Sequence, residues 1–230
     1  MKSIARTGLA ILVLGLLTSP LFAAKKDKKA AKATRWTTLF DASHTNGWEM
    51  VGPGELKLEN GELVTYGGMG MLWYNEKKFG NCAIRVLFKL SQPNDNSGVF
   101  IRMPEKPKDP MQAVNQGYEV QIDNTGDDYH RTGCLYSLSQ AKNKVPAKTN
   151  DWSTMLITLE GKHTVVKIDG TVVTDFTEGQ PVPEKHKTYE PDRGPRPEFG
   201  YIGLQNHGGN AHVHFKSVQV RELKKKTAVQ

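Results

Sequence analysis

The sequence has little cysteine and lacks several motifs that mark common enzymes. Only 2 of its 230 residues are cysteine, which excludes a small disulfide-scaffolded protein and a cysteine-rich zinc ribbon. It has no Gly-x-Ser-x-Gly elbow, no phosphate-cradling loop and no dinucleotide-binding fingerprint, so none of those chemistries is indicated. Its one long apolar run, residues 8–17, is too short to cross a bilayer comfortably.

The two ends of the chain differ from the rest in composition. Two basic residues precede the apolar run and a pair of alanines follows it, a pattern typical of an export signal peptide. We therefore expect a periplasmic or secreted protein, with no transmembrane segment after cleavage. The predicted organisation is a signal peptide (1–24), a Lys/Ala-rich disordered linker (25–35), one folded domain (36–223) and a basic tail (224–230).

The formal net charge of +7 comes from these ends. Of the 31 Lys and Arg residues, 10 lie in residues 1–32 and 224–230, which hold one of the 24 acidic residues, so the remaining body carries −2. A basic nucleic-acid-binding face is therefore not predicted. The tails are expected to be solvated, with anionic envelope surfaces as their only foreseeable contact.

The two cysteines would meet an oxidising compartment after export. A disulfide between Cys82 and Cys134 and a pair of buried thiols both remain open. Cys82 alternates with apolar residues at 84, 86 and 88, which favours a buried strand position for it.

The body alternates apolar and polar residues with period two and shows almost no helical period. Asn60-Gly61 and Asp169-Gly170 each separate two alternating segments, as in β-hairpins. Many short strands with turn signals between them predict an all-β sandwich or jelly roll with two antiparallel sheets and little helix. Residues 181–199 contain five prolines and are predicted to form a long loop, either a binding loop or a surface insertion.

Strand alternation also predicts which side chains share a face. In Tyr118–Asp123 the apolar residues point to a core, which leaves Glu119 and Gln121 on the opposite face. The same argument assigns Arg102, Gln205 and His207 to that face if their strands share the sheet. Gly98 and Gly203 would leave room there for a ligand. A row of acid, amide, guanidinium and imidazole groups is more typical of a face that binds a polyol than of an ordinary solvated sheet face.

The ordered set of short motifs resembles the 3-keto-disaccharide hydrolase-like domain family over roughly residues 36–223. The matching segments are Leu39-Phe40-Asp41 with Gly47-Trp48, Asn60-Gly61-Glu62-Leu63, Asn96-Ser97-Gly98-Val99 with Arg102, Gly117–Ile122, Thr132–Tyr136, Asp151-Trp152, Asp169-Gly170, Gly203–His207 and Phe215–Val218. The chain departs from the family pattern at Ser153, Asp169 and Lys216-Ser217, where the family usually has Asn, Asn and Arg-Asn. The resemblance implies a concanavalin A-like jelly roll whose concave sheet binds sugar, and activity on glycosides oxidised at C3.

Cleavage of a glycoside oxidised at C3 requires fewer catalytic groups than cleavage of an ordinary glycoside. Most glycosidases use two carboxyl groups roughly 5–9.5 Å apart, whereas Glu119 and Asp123 would lie roughly 13 Å apart on a regular strand. The C3 ketone acidifies the C2 proton, so one base can start an elimination that an acid completes. Glu119 or His207 is the candidate base and Arg102 the candidate enolate stabiliser. Asn96, Gln121 and Gln205 would hold hydroxyl groups.

Other roles remain open. Trp73 is either a stacking platform for a sugar ring or a core residue. His212 and His214 share a strand face and would suit a metal with a carboxylate, or they are exposed strand histidines near the sheet end. The Asn and Asp residues at 94–96 and 123–128 could hold Ca²⁺, although turn chemistry explains them equally well. No cofactor is predicted, and a divalent metal such as Ca²⁺ is left open. The functional alternatives are a non-catalytic carbohydrate-binding module and an adhesion domain bound through its tails.

Overall fold

The computed structural model describes residues 35–224. The predicted signal peptide, nearly all of the predicted linker and the last six residues lie outside the described residues. No helix between residues 35 and 224 has the length and apolarity of a membrane span. The elements in chain order are β1 (Thr37–Phe40), β2 (Trp48–Val51), β3 (Glu55–Glu59), β4 (Glu62–Tyr66), β5 (Gly70–Tyr74), β6 (Cys82–Leu90), β7 (Asn96–Met103), α1 (Pro110–Gln116), β8 (Tyr118–Asp123), β9 (Ser153–Glu160), β10 (His163–Ile168), β11 (Thr171–Thr177), β12 (Tyr201–Asn206) and β13 (Val213–Glu222).

The strands form two antiparallel sheets, as the alternation predicts. The larger sheet has the order β11-β10-β9-β6-β13-β4-β3, with β1 also paired to β13, and the smaller has the order β2-β5-β12-β7-β8. Asn60-Gly61 joins β3 to β4 and Asp169-Gly170 joins β10 to β11. Both residues of each turn have positive φ (51° and 80°, 47° and 86°), the backbone that two-residue hairpins require.

The main core lies between the sheets and uses alternate residues of the strands. Tyr118, Val120 and Ile122 of β8 are buried in it, which confirms the predicted orientation of that strand. Cys82 and Cys134 are both buried in the same core, and both are free thiols. Of the two states left open by the sequence, the structure therefore contains the pair of buried thiols.

A second, smaller apolar cluster lies on the outer face of the five-stranded sheet, beneath α1. The helix begins where the Asp109 carboxylate accepts a hydrogen bond from the Gln112 amide at 2.9 Å, with Pro110 in the first turn. Ala113 and Val114 are its buried residues. The helix covers only part of this face, and the uncovered part forms the floor of a cavity.

Candidate functional site

A cavity that contains most of the predicted site residues lies on the outer face of the five-stranded sheet. It has a volume of about 630 Å³, within the range of sites for small ligands. Strands β7, β8 and β12 supply its floor, and α1 and three loops supply its walls. Its lining residues are Met69, Asn96, Met111, Val114, Glu119, Gln121, Asp123, Asp127, His130, Tyr136, His186, Lys187, Tyr189, Glu190, Gln205 and His207.

The floor contains most of the polar side chains that strand alternation predicted. Glu119 and Gln121 project from β8, Asn96 from β7 and Gln205 from β12, and all four line the cavity together with His207. Pairing of β8 with β7 and of β7 with β12 places these strands side by side. Of the five residues that alternation assigned to one face, Glu119, Gln121, Gln205 and His207 line this cavity, and Asn96 joins them; their roles stay predictions.

Glu119 is a buried carboxyl group with amide neighbours. In the orientation that satisfies its surroundings, the Gln121 amide donates to the Ser97 carbonyl at 3.0 Å and to Glu119 Oε1 at 2.9 Å. Burial raises the pKa of Glu119 from 4.5 to about 8, and a hydrogen bond with Gln205 opposes this only in part. The group is therefore mostly protonated at neutral pH, which suits a general acid.

The space beside the two glycines of the floor strands is filled by protein side chains and not by a ligand. A Cβ atom at Gly98 would lie 2.6 Å from Glu119 Oε1, and one at Gly203 would lie 2.6 Å from Met71 Sδ. The prediction that these glycines leave room for a bound ligand is therefore wrong. The space beside Gly98 is filled by the Glu119 side chain, so this glycine determines where the carboxyl group lies.

This steric relation can be tested by substitution. We expect Gly98→Ala to cost about 1–3 kcal/mol of unfolding free energy, because the added methyl group overlaps the Glu119 side chain. In a Glu119→Ala background the same substitution should cost little, since the overlapping atoms are gone. Urea unfolding of the four proteins of this cycle measures the coupling. Equal losses in both backgrounds would contradict the assigned contact.

Asp123 and His207 occupy the end of the floor next to Asn96. The Asn96 amide donates to Asp123 Oδ2 at 3.2 Å, while Asp123 Oδ1 accepts from the Thr125 amide and hydroxyl, each at 2.7 Å. Burial lowers the pKa of His207, and the nearby Asp123 opposes this shift. The imidazole is therefore neutral at neutral pH and able to accept a proton.

Arg102 does not lie in the cavity, contrary to the prediction. The pairing of β7 with β12 shifts register between Tyr201 and Gly203, and Arg102 itself has φ 56°. This bulge turns the side chain away from the polar face. Its guanidinium instead donates to the carbonyl groups of Pro197 and Gly161. Arg102 therefore anchors two loops, and it cannot be the enolate stabiliser.

Trp73 is also absent from the cavity lining. Its side chain is 3% exposed and belongs to the apolar cluster beneath α1. The ring packs edge-on against Tyr201 with centroids 5.1 Å apart. Of the two roles left open, Trp73 therefore takes the core role, and the prediction that it binds substrate is wrong.

Two loops complete the cavity with residues that the sequence did not single out. The segment after β8 lies along that strand, since the Tyr136 amide donates to the Glu119 carbonyl at 2.9 Å. It brings Tyr136 and His130 to the wall, with their ring centroids 5.0 Å apart. Burial, and secondarily the charge of Glu119, raises the pKa of Tyr136 to about 12. Sequence alternation could not identify these residues because they lie on irregular chain.

The proline-rich loop at 181–199 also lines the cavity, and it contacts the segment after β8 where Arg193 donates to Ser137 Oγ at 3.1 Å. It contributes four lining residues, His186, Lys187, Tyr189 and Glu190. Arg193 fixes the loop by donating to the Pro183 and Pro191 carbonyls at 2.9 and 2.6 Å, and to Glu190 Oε2 at 3.1 Å. The structure thus favours the binding-loop interpretation of this segment over a surface insertion.

The histidines considered as metal ligands are engaged elsewhere. His214 contacts Glu62 Oε2 at 2.9 Å and the Ser91 hydroxyl at 3.0 Å, and His212 contacts the Thr65 carbonyl at 2.9 Å. Within residues 35–224, no group of three or more His, Cys, Asp or Glu side chains is arranged to hold a metal ion. The Asp95 carboxylate caps backbone amides of Ser91 and Gln92, each at 2.8 Å, as in ordinary turns.

Comparison by sequence gives one family. The model of the 3-keto-alpha-glucoside-1,2-lyase-like domain matches residues 35–221. No curated protein matches the sequence. The match covers all described elements of both sheets except the last residue of β13, and it confirms the resemblance drawn from the short motifs.

Comparison of structures gives sugar-related relatives of the same fold. A candidate glycosyl hydrolase from Parabacteroides distasonis ATCC 8503 is 23% identical, with TM-score 0.68 over 82% of this chain and 100% of that one. Carbohydrate-binding module CBM66 from Bacillus subtilis is 14% identical, with TM-score 0.52 over 76% and 96%. The exoplasmic/lumenal domain of VIP36, solved with Ca²⁺ and Man3GlcNAc, is 12% identical, with TM-score 0.56 over 83% and 90%. At these identities the likeness shows a shared jelly-roll fold.

Proposed function

Because this chain belongs to the 3-keto-alpha-glucoside-1,2-lyase-like domain family, we propose that it cleaves glycosides whose sugar carries a ketone at C3. The sugar would bind in the cavity over β7, β8 and β12. The candidate glycosyl hydrolase from Parabacteroides distasonis, which shares the fold, supports a glycoside-cleaving role. We also propose that the protein is exported, in which case the mature chain would begin near Lys25.

The observation that carries this proposal is the buried Glu119 carboxyl on the cavity floor. Its raised pKa, about 8, keeps the proton available at neutral pH. His207 lines the same cavity with a lowered pKa, so it is a neutral base under the same conditions. A pair of groups whose environments keep one protonated and the other unprotonated suits acid–base chemistry.

The proposed reaction has two stages. His207 removes the C2 proton, the electron pair forms a C1–C2 double bond, and the glycosidic oxygen leaves C1 with the proton of Glu119. A water molecule then adds its oxygen to C1 of the resulting enone, returning one proton to Glu119, while His207 returns its proton to C2. The net change is hydrolysis. Only one acid and one base are needed, so the second carboxyl of an ordinary glycosidase is not required.

The remaining floor residues would orient the sugar. Gln205 and Asn96 line the cavity, and their side-chain amides would exchange hydrogen bonds with sugar hydroxyls. Because Arg102 lies elsewhere, Lys187 is the residue on the cavity wall that would bring a full positive charge near the enolate oxygen.

A non-catalytic carbohydrate-binding module is the second candidate, since CBM66 shares this fold. Incubation with a 3-keto-disaccharide, followed by measurement of released reducing sugar, separates the two. We expect release that is proportional to enzyme concentration. Retention of sugar on a glycan array without any release would establish the binding module and refute the enzyme.

A further inference from the structure

Half of the exposed large apolar side chains surround one opening. Residues 35–224 contain six such side chains, and three of them line the cavity described above. These are Met69, Met111 and Tyr189, which are 49%, 37% and 51% exposed. We call them the apolar rim. Single exposed apolar residues are ordinary, whereas a cluster at a cavity mouth marks a contact surface.

Three separate parts of the fold build the apolar rim. Met69 lies just before β5, Met111 lies in the first turn of α1, and Tyr189 lies in the loop at 181–199. Tyr189 is next to Glu190, whose carboxylate accepts from the His186 amide at 3.0 Å and from Arg193. The ring is therefore carried by a fixed backbone, with Lys187 Nζ 5.5 Å from its centroid.

The floor and the mouth of the cavity thus differ in polarity. Its floor presents Glu119, Gln121 and Gln205, which suit the hydroxyl groups of a sugar, while its mouth presents two thioethers and a phenol ring. Thioethers contact aromatic rings favourably, and unbranched methionine adapts to different shapes. Tyrosine adds a stacking surface. A ligand that fills both parts has a polar end and an apolar end.

We propose that the apolar rim binds the leaving group of the substrate, and that this leaving group has an aromatic or similarly apolar face. The proposal rests on the proposed function, because it assigns the sugar to the floor. It makes Met69 and Met111 specificity-determining residues that contact the leaving group.

A neighbouring cavity provides the contrasting location for the leaving group. It has a volume of about 400 Å³, is lined mainly by polar residues such as Gln92, Asn94 and Asn210, and shares Asn96 and His207 with the main cavity. A hydroxyl-rich leaving group would fit there. The two locations therefore predict different preferences, and substitutions in one should not affect the other.

The test compares phenyl and methyl 3-keto-glucosides of the same anomeric configuration. We expect the double variant Met69→Gln/Met111→Gln to lower kcat/KM for the phenyl substrate by about tenfold or more while changing that for the methyl substrate by less than about twofold. The ratio cancels the intrinsic difference between the leaving groups. Met50→Gln is a matched control, since Met50 is 36% exposed and does not line the cavity; its ratio should stay unchanged.

A binding measurement keeps this test separate from the proposed reaction. Calorimetry with the unoxidised phenyl and methyl glucosides should show the same selective loss in the rim variant, even if neither 3-keto-glucoside is cleaved. In that event the proposed function fails while the apolar rim stands. Equal losses for both leaving groups would overturn the proposal. So would an unchanged rim variant combined with a changed ratio in Asn94→Ala/Asn210→Ala.

Discussion

Replacing Glu119 by Gln should lower the rate of 3-keto-glycoside cleavage by about 10²–10⁴-fold, the usual contribution of a general acid. The amide keeps an oxygen that can accept from Gln121 but has no proton to give to the leaving oxygen. Binding of the sugar should change far less, because the floor amides remain. Steady-state rates on a 3-keto-disaccharide, with affinity measured by calorimetry, test both parts.

The matched control is Glu105→Gln, which removes an exposed carboxyl outside the cavity and should leave the rate unchanged. The pH profile adds a second criterion. The wild-type rate should rise as His207 loses its proton below pH 6.5, and fall as Glu119 loses its proton near pH 8. Full activity of Glu119→Gln, or an unchanged alkaline limb, would remove Glu119 from the mechanism.

Glu119 should also make the protein less stable at alkaline pH. Its pKa is about 8 in the folded protein against an ordinary value of 4.5, so between these values the folded state holds a proton that the unfolded state has lost. Stability therefore falls as pH rises through this window, by roughly 5 kcal/mol in total at about 1.4 kcal/mol per pH unit. Glu119→Gln should match the wild type near pH 4.5 and exceed its Tm by about 10 °C at pH 9.

A second variant should show the opposite sign. Burial raises the pKa of Glu62, but hydrogen bonds from Lys89 and His214 outweigh it and leave the pKa lowered. Its contribution to stability is present above the ordinary pKa of 4.5 and is lost as pH falls. Glu62→Gln should therefore lower the Tm at pH 7–9 and have little effect at the acid end. Thermal unfolding of both variants across about pH 2.5–9 checks the pair, since the folded-state pKa of Glu62 lies below 4.5. Parallel curves for Glu119→Gln and the wild type would contradict the raised pKa.

Strand alternation predicted the floor of the site because a side chain on a regular strand can point in only two directions. The orientation of β8 follows from the apolar residues at 118, 120 and 122, and Glu119 and Gln121 must then face the other way. The hairpins at Asn60-Gly61 and Asp169-Gly170 were equally predictable from the sequence, because their turn type requires positive φ at both positions.

Strand alternation gave wrong predictions of side-chain direction where the chain is irregular. The bulge opposite Ile202 turns the Arg102 side chain to the other face of the sheet. The local alternation of apolar and polar residues does not indicate the additional residue of this bulge. The role of Gly98 depends on the Glu119 rotamer across the strand pair, which is a tertiary property. Helix α1 had a signal, Asp109 followed by Pro110 as an N-cap and first-turn pair, but its seven residues are too few to show a helical period.

The walls of the cavity could not be predicted because they come from loops. His130, Tyr136 and Tyr189 reach the site through backbone contacts and arginine anchors that join distant parts of the chain. The five prolines at 181–199 indicated a loop but not the direction in which it folds.

The proposed chemistry requires that the Glu119 carboxyl on the cavity floor is protonated at neutral pH. A ¹³C NMR titration of the protein labelled at the glutamate side-chain carboxyls measures this directly, with Glu119→Gln identifying the resonance. We expect a midpoint near pH 8 for Glu119. A midpoint near its ordinary 4.5 would contradict it, because the group would then be ionised and unable to protonate a leaving oxygen.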